Sequence, residues 1–94
     1  MRDGLKIRYI TGRGGDALGG LSAYLATLSE NFDALAIDPS FLSADFLEQI
    51  EVVREFCAEE GAYIIANSYG ASLFLHSLIA RPPLQASAVL LSPA

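Results

Sequence analysis

The chain has 94 residues, with one cysteine, one histidine, no tryptophan and a formal net charge of −5. That length supports one domain with a hydrophobic core and is too short for two. A hydrophobic fraction of 52% against 18% charged residues excludes a disordered chain. The cysteine and histidine counts exclude a disulfide framework and a Cys/His zinc site, so we expect no metal. The negative charge argues against nucleic acid and anionic membranes as partners.

Sequence signals for export or membrane insertion are missing. The N-terminal residues contain no run of seven or more apolar side chains, as a secretory signal would require. No stretch approaches the 18 consecutive apolar residues of a transmembrane helix. We therefore expect a cytoplasmic protein without a membrane partner.

Strand and helix patterns alternate in the first half of the chain. A strand is predicted from Leu5 to Thr11, followed by a glycine-rich turn over residues 12–15. A stripe of leucines predicts a helix from Ala17 to Glu30, with Asp16 as its N-cap and Asn31 as its end. The stripe comprises Leu18, Leu21, Leu25 and Leu28.

A second strand and a second helix follow. The apolar run Ala34–Ile37 predicts the strand, which ends at a turn formed by Asp38 and Pro39. Asp45 and Glu48 have the spacing of a capping box, so the helix is expected to begin there. Its apolar stripe comprises Phe46, Ile50, Val53 and Cys57, and the cysteine is expected in the core.

The last third of the chain repeats the alternation. A strand is predicted over Ala62–Ala66, a helix over Tyr69–Ala80 and a final strand over Ala88–Leu91. Together the elements form a β-α-β-α-β-α-β pattern with short connections. Residues 1–94 are therefore predicted to form a single α/β domain, a three-layer sandwich with a four-stranded parallel sheet and helices on both faces.

The strongest chemical signal lies between the third strand and the third helix. There Ser68 is flanked by small residues at minus two and plus two, Ala66 and Gly70. A sharp strand-to-helix turn requires small residues at these positions and exposes the central side chain, as in the nucleophile elbow motif G-x-S-x-G. A plain helix N-cap is the alternative interpretation of Ser68.

In these segments the chain resembles the α/β-hydrolase family. The segment Ile10–Gly15 resembles the family's oxyanion loop, with Thr11 where a histidine is common, and Ala34–Asp38 resembles the strand that follows. The segment Ile64–Ala71 resembles the nucleophile elbow, and Ala88–Ala94 the strand after it. Ala66 departs from the family's first elbow glycine.

The resemblance implies a strand order of 2-1-3-4 and a hydrolase site for an ester or similar small acyl substrate, with no cofactor. Ser68 would be the nucleophile, and the N–H groups of Tyr69 and Arg13 would form the oxyanion hole. The same crevice would place Gly12, Gly14 and Asn67 against the substrate.

The family's acid and histidine follow later strands, so this chain corresponds to the core half of such a fold. His76, the single histidine, lies eight residues beyond Ser68 on the same helix, about 12 Å along its axis, and is therefore predicted to be a surface residue. Asp38 is interpreted as a strand-end turn residue. We therefore expect little or no turnover from the isolated chain.

Two other functions stay open at the sequence level. Gly12, Gly14 and Ala17 fit G-x-G-x-x-A, with Asp38 21 residues further on, which is typical of a dinucleotide-binding fold. The final strand is apolar and uncharged, which favours a non-catalytic module that binds a partner or forms a homo-oligomer through this C-terminal edge strand.

Overall fold

A computed structural model describes residues 5–14, 20–58, 61–80 and 87–91 of the chain. Four strands form one sheet, and every strand pair in it is parallel. They are β1 (Lys6–Arg13), β2 (Asn31–Ile37), β3 (Ala62–Asn67) and β4 (Ser87–Leu91). The helices are α1 (Gly20–Ala26), α2 (Pro39–Leu42), α3 (Phe46–Cys57) and α4 (Tyr69–Ala80). The strand order is β2-β1-β3-β4, as predicted.

The central strand β1 is buried on both sides of the sheet, which makes the fold a three-layer sandwich. Ile10 faces α3 and α4 and belongs to the main apolar cluster, together with Ile64 of the neighbouring strand. Ile7 and Tyr9 point the opposite way and are also buried. Right-handed crossovers place α1 on that second face, because the chain moves from β1 to β2 in the direction opposite to its later crossovers.

The α3 helix begins as the sequence predicts. The Asp45 carboxylate accepts from the Glu48 backbone N–H at 2.9 Å, and the Glu48 carboxylate accepts from the Asp45 N–H at 3.3 Å. Ile50, Val53 and Cys57 are buried in the core. Phe46, the remaining member of the predicted stripe, is instead 45% exposed.

The first helix was wrongly predicted to extend to Glu30. Instead α1 ends at Ala26 in a tight turn, in which the Thr27 hydroxyl donates to the Tyr24 carbonyl at 2.6 Å. Asn31 begins β2 instead of ending the helix, because the buried Arg8 guanidinium donates to its backbone and side-chain oxygens at 3.0 and 3.1 Å. The predicted cap Asp16, and Gly15, Ala17 and Leu18, lie outside the described residues.

Two local features differ from the predicted turns. The Asp38-Pro39 turn opens a one-turn helix, α2, whose N-cap is Asp38; its carboxylate accepts from the Phe41 N–H at 2.9 Å. Strand β1 continues through Gly12 and Arg13, where a turn was predicted, and its pairing with β2 shifts register between Ile10 and Arg13. The Thr11 side chain of β1 accommodates the extra residue, because its oxygen accepts from the Ile37 N–H.

Cys57 lies in the core, as predicted, and is 2% exposed. Burial raises the pKa of its thiol to about 12 from an ordinary value of 9.0, although the nearby Arg8 charge partly opposes this. A buried thiol that holds its proton so firmly behaves as a small apolar side chain.

The raised pKa predicts a loss of stability in alkali. Between pH 9 and about 12 the unfolded thiol ionises while the folded thiol stays protonated. Since the unfolded state then binds fewer protons, the free energy of unfolding falls as pH rises, by at most about 1.4 kcal/mol per pH unit from this group. Urea denaturation of the wild type and Cys57→Ala measures this contribution, because the variant lacks the thiol. Parallel pH profiles for the two proteins would contradict the prediction.

Candidate functional site

Ser68 joins β3 to α4 in a strained backbone conformation. Its φ is +52°, and among the described residues it is the only non-glycine with a positive φ. Such a conformation costs a non-glycine residue on the order of 1–2 kcal/mol. Hydrogen bonds hold it in place: the Ser68 N–H donates to the Leu91 carbonyl at 2.7 Å, and the Ser68 carbonyl accepts from the Ser72 N–H at 3.1 Å.

This conformation differs from that of an ordinary helix N-cap. A capping residue normally has extended backbone angles, and its side chain accepts from the helix N–H groups. Asp38 and Asp45 follow this pattern, with φ of −95° and −72°. Ser68 has the left-handed φ expected where a strand turns abruptly into a helix. The backbone of Ser68 is therefore not that of an ordinary N-cap.

Gly70 allows α4 to approach β1 closely. A Cβ atom on this residue would overlap the Thr11 carbonyl oxygen and would lie 2.6 Å from Ile10 Cγ2. Side-chain atoms cannot occupy that space without moving the backbone of the central strand. The small residue at plus two is thus required by contact with the neighbouring strand, and Ala66 at minus two is fully buried in the core.

Gly12 brings the end of β1 against Ser68. A Cβ atom at Gly12 would lie 3.2 Å from Ser68 Cβ and 3.8 Å from Ser68 Oγ. The end of β1 and the β3–α4 turn therefore meet, as expected for neighbouring parallel strands. Gly14, after the end of β1, has a φ of +72°, and its N–H donates to the Ile37 carbonyl at 2.8 Å. Asn67, half-buried, is the last residue of β3 and pairs with Leu91.

Thr11 lies at the position where the α/β-hydrolase family, which the chain resembles, often has a histidine. It is buried, its hydroxyl donates to the Gly12 carbonyl at 2.8 Å, and its oxygen accepts from the Ile37 N–H at 2.8 Å. The side chain therefore provides hydrogen bonds at the register shift between β1 and β2. Its function in this structure is to hold the strand end that carries Gly12 and Arg13.

Arg13 and Tyr69 contact each other beside Ser68. The centre of the Arg13 guanidinium lies 4.5 Å from the centroid of the Tyr69 ring, within the range of a cation–π interaction. The Tyr69 hydroxyl donates to Gln49 Oε1 at 2.8 Å, and Gln49 Nε2 donates to the Ala44 carbonyl at 2.8 Å. Gln49 was not predicted from the sequence, where its isolated polarity beside the apolar stripe of α3 was the one available signal.

His76 and Asp38, the residues considered as a possible base and acid, each contact other groups. His76 is exposed, as predicted, and packs edge-to-face against Phe46 with 5.1 Å between ring centroids. The Asp38 carboxylate caps α2, in agreement with its structural interpretation, and Ala17 of the dinucleotide motif lies outside the described residues.

Within residues 5–14, 20–58, 61–80 and 87–91, no cluster of His, Cys, Asp or Glu could hold a metal ion, and no helix is long and apolar enough to cross a membrane.

The tight contact at Gly70 predicts a graded response to alanine. Gly70→Ala should lower the free energy of unfolding by about 3 kcal/mol or more, since the added methyl meets strand backbone. Gly12→Ala should cost only about 1 kcal/mol, because the added methyl would lie 3.2 Å from Ser68 Cβ, a contact that a small shift relieves. Chemical denaturation of both variants measures the difference. Equal losses, or a more stable Gly70→Ala as helix propensity alone would favour, would contradict this packing.

No protein-family model matches the chain, and no curated protein or solved structure is significantly similar to it. The resemblance to the α/β-hydrolases therefore depends on the motif residues alone.

Proposed function

We propose that the chain carries the nucleophile and oxyanion portion of a serine-hydrolase site that acts on an ester or similar small acyl substrate. The observation that carries this proposal is the φ of +52° at Ser68, held between β3 and α4. Backbone strain of this kind persists where the surrounding structure enforces it, and it clusters at active sites. The close approaches at Gly12 and Gly70 are the enforcing contacts here.

The proposed reaction is acyl transfer through a covalent intermediate. Ser68 Oγ attacks the acyl carbon, its proton passes to a general base, and the carbonyl oxygen becomes an oxyanion. The N–H groups of Tyr69 and Arg13 are the proposed donors to that oxyanion. Collapse of the tetrahedral intermediate breaks the bond to the leaving oxygen, which takes the proton from the base and departs as the alcohol. The acyl-Ser68 ester that is left is then hydrolysed by water.

The base and the orienting acid are the parts that this chain does not provide in the described residues. His76, on the exposed side of α4 against Phe46, is remote along the helix from Ser68. We propose that the groups that transfer the proton come from outside the described residues. The isolated chain then retains positioning and the oxyanion donors, without efficient proton transfer.

Covalent labelling tests the assignment of Ser68. A fluorophosphonate should modify Ser68 at a rate about 10³-fold above that of free serine, the residual effect expected from positioning and oxyanion donors alone. Peptide mass spectrometry should find one adduct per chain. The adduct should be absent in Ser68→Ala and retained in Ser72→Ala, which replaces a serine in α4. Ester turnover should be negligible. Modification spread equally over several serines, or unchanged in Ser68→Ala, would refute the proposal.

A second candidate, self-association, is favoured by the exposed side chains of β4. Strand β4 ends the sheet order, and its range Ser87–Leu91 contains no charged residue. Val89 is 57% exposed and Tyr63 on the adjacent strand is 50% exposed; their register places both on one face of the sheet. An uncharged edge of this kind can pair with a second copy of itself across a two-fold axis.

Sedimentation measures this self-association directly. The wild type should sediment with a mass above that of the monomer, rising with concentration through tens of micromolar. Val89→Lys should shift it to monomer, because a charge on an edge strand opposes pairing. Ile79→Lys is the matched control: Ile79 is 81% exposed on α4 and should leave the association unchanged. A wild type that is monomeric throughout this range would eliminate the candidate.

A further inference from the structure

We propose that the Arg13 side chain selects acyl substrates that carry a carboxylate. This inference rests on the proposed function, which assigns the adjacent Ser68 as nucleophile. It adds a role for the guanidinium group that is separate from the oxyanion role of the Arg13 backbone N–H. Arg13 would thus be a specificity-determining residue of the site.

The position of Arg13 follows from its neighbours in the chain and in space. Gly12 lies against Ser68, and Arg13 is the next residue of β1. From there the Arg13 guanidinium reaches the ring of Tyr69, the residue that follows Ser68. Arg13 follows the glycine that lies against Ser68, and it contacts the residue that follows Ser68. We infer from these two contacts that the guanidinium can reach a substrate bound at Ser68.

The ring beneath the guanidinium is itself anchored. Tyr69 is half-buried and its hydroxyl is bound to Gln49, which is 5% exposed and donates in turn to the Ala44 carbonyl. A ring held at both ends has little freedom to move, so the cation above it has a preferred position. An arginine that is already held in position loses less conformational entropy when it binds a ligand than a freely moving arginine does.

The cation–π contact leaves the charge of Arg13 available. An aromatic face attracts the guanidinium without neutralising it, and the planar group keeps N–H donors that match the two oxygens of a carboxylate. Among the described residues, no ion pair of Arg13 is observed, and the side chain is exposed. In a chain with a net charge of −5, the exposed Arg13 guanidinium is the group that we expect to attract an anionic substrate to this site.

Titration with a matched pair of ketones tests the inference on the intact chain. Levulinate carries a carboxylate and a ketone that mimics an acyl carbonyl but cannot be hydrolysed, whereas 2-pentanone lacks the carboxylate. In ¹⁵N NMR spectra at low ionic strength, levulinate should shift the amide signals of Arg13 and Tyr69, and 2-pentanone should not at equal concentration. Arg13→Gln should weaken levulinate binding about tenfold, the loss expected for a charge-assisted hydrogen-bonded pair.

A charge-matched control separates this site from the general field of the protein. Lys6→Gln removes the same charge at the opposite end of β1, roughly 20 Å away, and should change levulinate affinity less than about twofold. Arg13→Lys should retain part of the affinity, since it keeps the charge without the planar donor pair. Equal weakening by Lys6→Gln and Arg13→Gln would overturn the inference, as would levulinate that fails to shift the two amides at millimolar concentration.

Failure of the carboxylate selectivity assigned to Arg13 can be distinguished from failure of the proposed hydrolase function. Levulinate binding is read from the Arg13 and Tyr69 amide signals, and hydrolase chemistry is read from fluorophosphonate labelling of Ser68, so the two measurements are separate. Arg13-dependent binding with no labelling of Ser68 would retain the carboxylate site and discard the hydrolase. Labelling of Ser68 with levulinate affinity indifferent to Arg13→Gln would retain the hydrolase and overturn the selectivity assigned to Arg13.

Discussion

The close contact between α4 and the backbone of β1 is the constraint on which the rest of the structure depends. Gly70 has no side chain, so the first turn of α4 rests directly on the carbonyl groups of the central strand. This approach leaves the chain one residue in which to change from strand to helix, and Ser68 absorbs the change with a positive φ. The same contact brings Gly12 against Ser68 and Arg13 over Tyr69. The geometry of the candidate site is therefore a consequence of packing between one helix and one strand.

Much of the fold could be predicted from local patterns. The capping box of α3, the bounds of α4 and the apolar strand β3 depend on residues close in sequence, and their positions agree with the structure. Features set by distant residues could not be predicted in this way. Arg8 holds Asn31 in β2 and so shortens the space for α1, and Thr11 holds Ile37 across the register shift that extends β1. Helix α2 had a local signal, a proline directly after a capping aspartate, which was interpreted as a turn.

The candidate site divides in the same way. The small residues around Ser68 pointed to a strand-to-helix turn because they form a short motif with the serine, although the contact that requires Gly70 to be small is made with Thr11 and Ile10 of the distant strand β1. The contact between Arg13 and Tyr69 joins residues 56 positions apart, and the bond from Tyr69 to Gln49 joins residues 20 positions apart, so periodicity carried no signal for either. Chemical function is a proposal from this geometry, which assigns a nucleophile and oxyanion donors but not the groups that transfer the proton.

The burial of Cys57 also gives the protein a natural reporter of its own opening. It is the single cysteine of the chain, it lies at the end of α3 among core residues, and its thiol is protonated at neutral pH. A thiol reagent can react only after the core has opened and the group has reached water, where its ionisation returns to normal. The rate of modification therefore measures the population of opened molecules without any added label. Comparing that rate with global unfolding would show whether the α3–α4 layer separates from the sheet on its own or only when the whole domain unfolds.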